Sequence, residues 1–459
     1  MHVHFIAIGG SVMHQLALSL KSKGYTVSGS DDAIRDPARS NLEAAGILPA
    51  AEGWFPEKIT SSLDSVILGM HARDDNPELQ KARALGIPVY SFPEYIYHES
   101  RNKQRIIVGG SHGKTTTTAM IMHVLKESGF RFDYLVGARL TGFDRSVQLS
   151  EDAPLLVCEG DEYPASVLEK RPKFHFLYPH IAILTGISWD HINVFPTIEN
   201  YLEQFSIFIQ KIEPGGKLIY NAEDDQLKDL IAQSPRADIE YIPYGIPEHL
   251  VKEGKTTVTF EGNTTALQVF GDHNLLNMHA AFLACRAIGL AAADFTRAIG
   301  HFTGASRRLE LIGHNHSTSV YRDFAHAPSK LRATLAAVKA QFPRRRLLAI
   351  FELHTFSSLN QNFLSEYAGT MDPADEAVVY FSSHALELKR LPPLNSEMIL
   401  EGFANSNIKV INSKTALEDW LSSRNYHEAC LLFMSSGDFD GLDSVTFARR
   451  LTASPVDKG

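Results

Sequence analysis

Arg105-Ile-Ile-Val-Gly-Gly-Ser-His-Gly-Lys-Thr-Thr-Thr-Thr118 decides how the rest of the chain is read. Ile106 to Val108 is an apolar, β-branched run that predicts a buried strand. A glycine-rich turn follows, and Lys114 and Thr115 open a helix. That order suits a nucleoside triphosphate. Gly109, Gly110 and Gly113 let the backbone come close to phosphates. The backbone from Gly110 through Ser111, His112 and Gly113 to Thr116 carries its N–H groups into a helix N-terminus, which attracts anions. Lys114 is placed to reach the β- and γ-phosphates, and the Thr115 hydroxyl to ligate Mg2+. Gly109 and Gly113 enclose three residues instead of the usual four. Gly-Lys-Thr alone also occurs in solvated loops, but strand before and helix after favour a phosphate site. The expected ligands are ATP and Mg2+.

At 459 residues the chain exceeds one ordinary core, so two to four domains are expected. A net charge of -9 argues against nucleic acid or an anionic membrane as partner, and leaves an anionic substrate dependent on local cations. Cys158, Cys285 and Cys430 are odd in number and far apart, which fits reduced thiols better than a disulfide framework. No basic leader precedes an apolar stretch, and no run of about 18 apolar residues occurs. The expected compartment is the cytoplasm.

Residues 1–100 read as an α/β unit: a strand over 3–8, the turn Gly9-Gly10-Ser11, a helix over 13–20, and a second strand within 24–31 that ends in Ser30 and Asp31. Strand, glycine turn, helix and a later acid form the skeleton of a dinucleotide site, here with an incomplete glycine fingerprint. A diphosphate seat and a mere tight turn both fit.

Residues 101–304 form the second unit. Leu155–Tyr163 predicts a buried strand that delivers acids at its end, and Ile181–His191 a second strand ending in Asp190 and His191. Ligands of open parallel sheets bind at the carboxyl ends of strands, so Glu159 and His191 are candidate ligands of the nucleotide-bound Mg2+. Taken singly, Glu159 also reads as a helix cap and His191 as a core histidine. Asn274 and Asn277 share one face of a helix and can reach a base edge, although asparagine capping explains them equally well.

Residues 305–459 again alternate strand and helix. Arg307 and Arg308 at the junction can bridge to phosphates, or simply be solvated, and Asp323 and His326 follow a strand end within reach of a ribose.

Taken together, Gly-Ser-His-Gly-Lys-Thr-Thr-Thr-Thr (110–118), Glu-Gly-Asp-Glu-Tyr (159–163), Asp-His (190–191), Gly-Asp-His-Asn-Leu-Leu-Asn (271–277), Arg-Arg-Leu-Glu (307–310) and Asp-Phe-Ala-His (323–326) resemble the Mur ligase family, in that family's order. The resemblance implies an α/β protein of three domains: a Rossmann-like UDP-binding domain, a central P-loop ATPase-type domain with a parallel sheet, and a C-terminal Rossmann-like domain. It implies an ATP-dependent ligase that forms a carbon–nitrogen bond through an acyl phosphate. Residues 4–13 are similar to the branch acting on UDP-N-acetylmuramate. Two amines compete within that branch, L-alanine and the tripeptide L-alanyl-γ-D-glutamyl-meso-diaminopimelate. Residues 159–174, with Tyr163, a Lys-Arg-x-Lys-Phe run and 31 residues between Glu159 and His191, resemble the tripeptide form.

By the same resemblance Lys114 neutralises phosphates, Thr115 and Glu159 hold the first Mg2+, and His191 holds a second. Asn274 and Asn277 meet adenine, Asp323 the ribose and Arg308 the phosphates. Gly9, Gly10 and Ser11 cradle the UDP diphosphate, Ser30 and Asp31 lie near uridine, and Glu162 and His326 face substrate. A monomer or weak homodimer is implied. Arg322, Ala327 and Leu353 depart from the family's pattern.

Overall fold

The computed structural model describes residues 1–70, 72–138, 140–189, 194–252, 254–305 and 308–453. The chain forms two compact units, Met1–Gly245 with Leu276–Ala298, and Ile246–Leu275 with Ile299–Gly459.

The first unit holds two sheets. One comprises β1 (His2–Ile6), β2 (Thr26–Ser30), β3 (Ser65–Leu68) and β4 (Val89–Ser91), all parallel in the order β2-β1-β3-β4. The other comprises β5 (Gln104–Gly109), β6 (Asp133–Leu135), β7 (Val147–Gln148), β8 (Leu155–Glu159), β9 (Ile181–Leu184), β10 (Lys217–Asn221) and β11 (Glu240–Tyr244). Its order is β11-β10-β9-β5-β8-β6-β7, parallel except for β7. Parallel sheets are covered on both faces, which is why Ile106, Ile107 and Val108 are all apolar and all fully buried. The helix Ser11–Ser22 joins the two sheets: the Leu149 N–H donates to Ser19 Oγ at 2.7 Å, and Arg145 donates to Ser22 Oγ at 2.6 Å.

Arg105, on the central strand, is 1% exposed. Its guanidinium donates to the carbonyls of Ser100, Arg101 and Lys103 at the end of helix Phe92–Ser100, to those of Leu177 and Tyr178, and to Glu213 at 2.7 Å. Burial lowers its pKa first of all, against the pull of Glu213.

Three strands end earlier than the sequence predicts. β1 stops at Ile6 because Ala7 turns into the left-handed region at φ 67, and the N–H groups of Ala7 and Ile8 both donate to Ser30 O. β8 stops at Glu159, not Tyr163. β9 stops at Leu184, not His191. Thr185 binds back to Gly109, and Gly186 at φ 141 leads the chain around the glycine loop. Asp190 and His191 themselves lie outside the described residues.

In the second unit, β12 (His249–Lys252), β13 (Lys255–Phe260) and β14 (Asn263–Leu267) make a small antiparallel sheet. It packs on the helix Pro328–Gln341, where Thr256 donates to Gln341 Oε1 at 3.0 Å. The larger sheet comprises β15 (Glu310–His314), β16 (Thr318–Asp323), β17 (Arg346–Leu353), β18 (Glu376–Phe381), β19 (Lys409–Ile411) and β20 (Ala429–Met434), in the order β15-β16-β20-β17-β18-β19. Only β15 is antiparallel. Cys158, Cys285 and Cys430 are free and buried. Among the described residues no helix is long and apolar enough to cross a membrane.

Candidate active site

β5 is flanked by β8 and β9, so the loop after it emerges where both neighbours also end. Gly110 takes φ 125 and Gly113 φ 82. A Cβ on Gly110 would overlap the Thr185 hydroxyl, and one on Gly113 the Asn277 side-chain oxygen. Both positions therefore require glycine, in conformation and in space. Gly113 caps the helix Lys114–Glu127, whose first turn presents Lys114, Thr115 and Thr116. Ser111 Oγ lies 2.8 Å from the Tyr201 hydroxyl and accepts the Ser188 N–H at 2.8 Å, and the His112 carbonyl accepts the Thr185 hydroxyl.

The run 159–162 answers this loop with two side-chain contacts, from Glu159 and Glu162. Glu159 accepts the Thr115 hydroxyl at 2.9 Å and the Gly137 N–H at 2.7 Å. Glu162, 1% exposed, pairs with Lys114 Nζ at 2.6 Å, and Lys114 also donates to the Gly110 carbonyl at 2.6 Å. Asp161 pairs with Lys173 at 2.5 Å. Burial pushes the Glu159 carboxyl up, in spite of Lys114 and its two hydrogen-bond donors. Burial would raise Asp161 as well, but Lys173 and Lys114 outweigh it and hold Asp161 below its ordinary value.

Gly110, Ser111, His112, Gly113, Lys114, Thr115, Thr116, Glu159, Glu162 and Asn277 thus gather in one place. The Asn274 amide donates to the Phe270 carbonyl at 2.8 Å, one turn back. Sequence reasoning missed Tyr201, Thr185, Gly137 and the Asp161–Lys173 pair. Only the acidic run and the basic run at 170–173 gave any signal.

The first sheet carries a second candidate seat. Gly10 caps the helix Ser11–Ser22, and the tips of β1 and β2 lie side by side. The Gly9 N–H donates to Asp31 at 2.7 Å, so that amide is already engaged. Burial, with Asp32 beside it, raises the Asp31 carboxyl despite the Gly9 and Ala33 N–H groups. Ser30 is fully buried, and Lys58 Nζ reaches Ser30 Oγ and the Gly29 carbonyl, each at 3.3 Å. Beneath them His4 and Glu78, both fully buried, pair at 3.2 Å.

In the second unit Asp323 accepts the Leu309 N–H at 3.1 Å and the Thr334 hydroxyl, so both of its oxygens serve the fold. The Arg308 guanidinium lies 4.8 Å from the Phe324 ring centre. His326 Nδ1 meets the Phe324 carbonyl at 2.8 Å. Arg307 lies outside the described residues. Of the departures, Arg322 pairs with Glu310 at 2.9 Å.

A glycine loop on the central strand of a parallel sheet, running into a Lys-Thr helix start, defines a phosphate-loop nucleotide-binding class of α/β protein. Residues 2–104 match the Mur ligase family catalytic domain, 108–285 the Mur ligase middle domain, and 307–437 the Mur ligase glutamate ligase domain. The UDP-N-acetylmuramate–L-alanine ligase of Desulfitobacterium hafniense is 30% identical over 454 residues, covering 95% of this chain and 97% of that protein. The UDP-N-acetylmuramate–L-alanyl-γ-D-glutamyl-meso-2,6-diaminoheptandioate ligase of Haemophilus influenzae is 28% identical over 450 residues, covering 96% and 97%. A solved murein peptide ligase from Psychrobacter arcticus superposes with a TM-score of 0.62 at 26% identity, covering 99% of this chain and 100% of that one. The chain belongs to the Mur ligase family. It has that family's three-domain α/β architecture and is a ligase that forms amide bonds with ATP.

Proposed function

We propose that this chain joins the lactyl carboxylate of UDP-N-acetylmuramate to the α-amine of L-alanyl-γ-D-glutamyl-meso-diaminopimelate, with ATP as the driving substrate, in peptidoglycan recycling. The observation that carries this choice of amine is the segment after β8. Residues 163–172 fold as a small hairpin: Pro164 bridges Pro172, the Ala165 N–H donates to the Arg171 carbonyl, and Ser166 Oγ accepts the Leu168 and Glu169 N–H groups. The Val167 N–H donates to the Met70 carbonyl beyond β3, and the tip leaves Val167 and Leu168 exposed. Such a wall beside the acidic run suits an amine longer than one amino acid.

In the proposed reaction the lactyl carboxylate oxygen attacks the γ-phosphorus, the bond to the ADP oxygen breaks, and an acyl phosphate forms. The amine then attacks the acyl carbon and phosphate leaves. Reactants in the first step are both anionic, so positioning and charge neutralisation are the main contributions of the protein. Lys114 would turn from Glu162 to the phosphates. Thr115 Oγ and Glu159, hard oxygen donors 2.9 Å apart at the helix start, fit Mg2+, which takes few protein oxygens alongside phosphates. Bound there, Mg2+ would draw charge from the γ-phosphate. Gly9, Gly10, Ser11, Ser30 and Asp31 would receive the uridine diphosphate. Asn277 at the loop would face nucleotide, Asn274, Arg308, Asp323 and His326 are assigned there or to substrate by family likeness alone, and His191 would serve a second Mg2+.

A second reading, ligation of L-alanine, is favoured by the similarity to the Desulfitobacterium hafniense protein of that name. Phosphate release by purified protein with ATP, Mg2+ and UDP-N-acetylmuramate decides between them. Turnover with the tripeptide and little with L-alanine is expected. The opposite preference would replace the first reading with the second, and silence with both amines would remove both.

A further inference from the structure

Between the helix Phe92–Ser100 and the strands β6 and β8 lies a cavity of about 90 Å3. Its walls are largely apolar, from Phe92 and Ile96 on one side to Leu135 and Val136 on the other. Three charged side chains line it, Glu159, Asp161 and Lys173, and Lys173 is the one cation among the described residues that do so.

Lys173 is fixed at both ends. Its N–H donates to the Tyr163 carbonyl at 2.9 Å where it opens the short turn Lys173–Phe176, and its Nζ lies 2.5 Å from Asp161. The next residue ties the same spot, because the Phe174 N–H donates to the Asp161 carbonyl at 3.1 Å. The ammonium has three donors and Asp161 takes one of them. Its side chain stays 18% exposed, so it is reachable from the cavity.

The apolar walls suit an aliphatic substituent, and the spare donors of the one anchored ammonium are what could hold an acid beside it. A carboxylate entering towards Thr115 and Glu159 is repelled by Glu159 and Asp161 and needs a cation beside it. We propose that Lys173 binds the lactyl carboxylate of the sugar nucleotide and so selects a muramic acid nucleotide over its glucosamine parent. This rests on the ligase reading and assigns the residue that chooses the acid substrate.

Calorimetric titration of the full-length protein, without ATP, with UDP-N-acetylmuramate and with UDP-N-acetylglucosamine tests it. The two ligands differ by the lactyl acid alone. Wild type is expected to prefer the muramate, and Lys173→Met to lose roughly tenfold to a hundredfold of that preference, as for one charge-assisted hydrogen bond. Affinity for the glucosamine nucleotide should stay unchanged, and Lys173→Arg should keep most of the preference. Retained ATP binding checks that the variant is folded, and Lys173→Gln gives the same readout if Lys173→Met fails that control. A variant that keeps the preference, or that loses both nucleotides equally, overturns the proposal while the ligase reading stands. Wild type that binds neither nucleotide overturns both.

Discussion

The Lys114 ammonium lies 2.6 Å from the Glu162 carboxylate and 2.6 Å from the Gly110 carbonyl. Burial opposes a charge there, but Glu162, Asp161 and Glu159 outweigh it and hold the lysine above its ordinary value. The cation that a nucleotide would attract is therefore already paired, and ATP has to draw it away from Glu162.

Lys114→Ala should reduce phosphate release below detection while circular dichroism stays as in wild type. Normal turnover in the folded variant would end the nucleotide assignment. Glu162→Gln removes the competitor for the same ammonium, so ATP should bind several-fold more tightly by calorimetry. Unchanged or weaker binding would mean that the pair does not compete with phosphate.

Thr115 should be felt through metal dependence. Thr115→Val keeps the shape of the side chain and removes the oxygen that meets Glu159 at 2.9 Å. The Mg2+ concentration needed for half-maximal turnover is expected to rise at least tenfold, and Thr115→Ser to restore it. Equal Mg2+ curves for all three proteins would place the ion elsewhere.

Gly113→Ala combines a left-handed backbone at φ 82 with a side chain that overlaps Asn277. The conformation alone costs roughly 1–2 kcal/mol. ATP binding should be lost, and Gly113→Ala/Asn277→Ala should recover stability to thermal unfolding more than it recovers ATP affinity. A single variant that binds ATP normally would show that the loop has another conformation open to it.

Glu78 gives a pH test of the first sheet. Burial would raise its pKa, but His4, Ser30 and the Phe55 N–H outweigh that and hold it below the ordinary 4.5. A depressed folded value means the contribution to stability is complete above 4.5 and is lost as pH falls through the lower folded value. Wild type should therefore exceed Glu78→Gln by about 1–3 kcal/mol in urea unfolding near neutrality. The gap should close in acid, and a gap independent of pH would show that the carboxylate's charge contributes nothing.

The strand, glycine turn and helix start at 104–116 were legible because their requirements are local. Backbone conformation demands glycine at 110 and 113, and Lys114 and Thr115 follow within two residues. Glu159 was legible because an apolar run ends on it. Asn277 against Gly113, Tyr201 against Ser111 and Lys173 against Asp161 were not, since sheet order brings these pairs together and no spacing records it. The strand over 181–191 was drawn too long because its β-branched start continues smoothly into Thr185. Hydrogen bonds from Thr185 and the conformation of Gly186 end it, and both depend on the neighbouring strand. Ala7, at φ 67, misled in the same way, because alanine gives no warning of a left-handed turn.

Arg105 bears on how this protein can be recombined. It is the second residue of the strand whose far end is the glycine loop, yet three of its partners are carbonyls that close the preceding helix and connector. A chimaera cut at residue 104 that grafts a foreign first domain would hand this buried guanidinium a new connector. Where that connector fails to return carbonyls at the same places, the Nη1 hydrogens of Arg105 are left unsatisfied inside the base of β5, although Glu213 still meets its charge. The practical seam for domain grafting lies upstream, before the helix Phe92–Ser100, so that helix, connector and strand travel as one cassette.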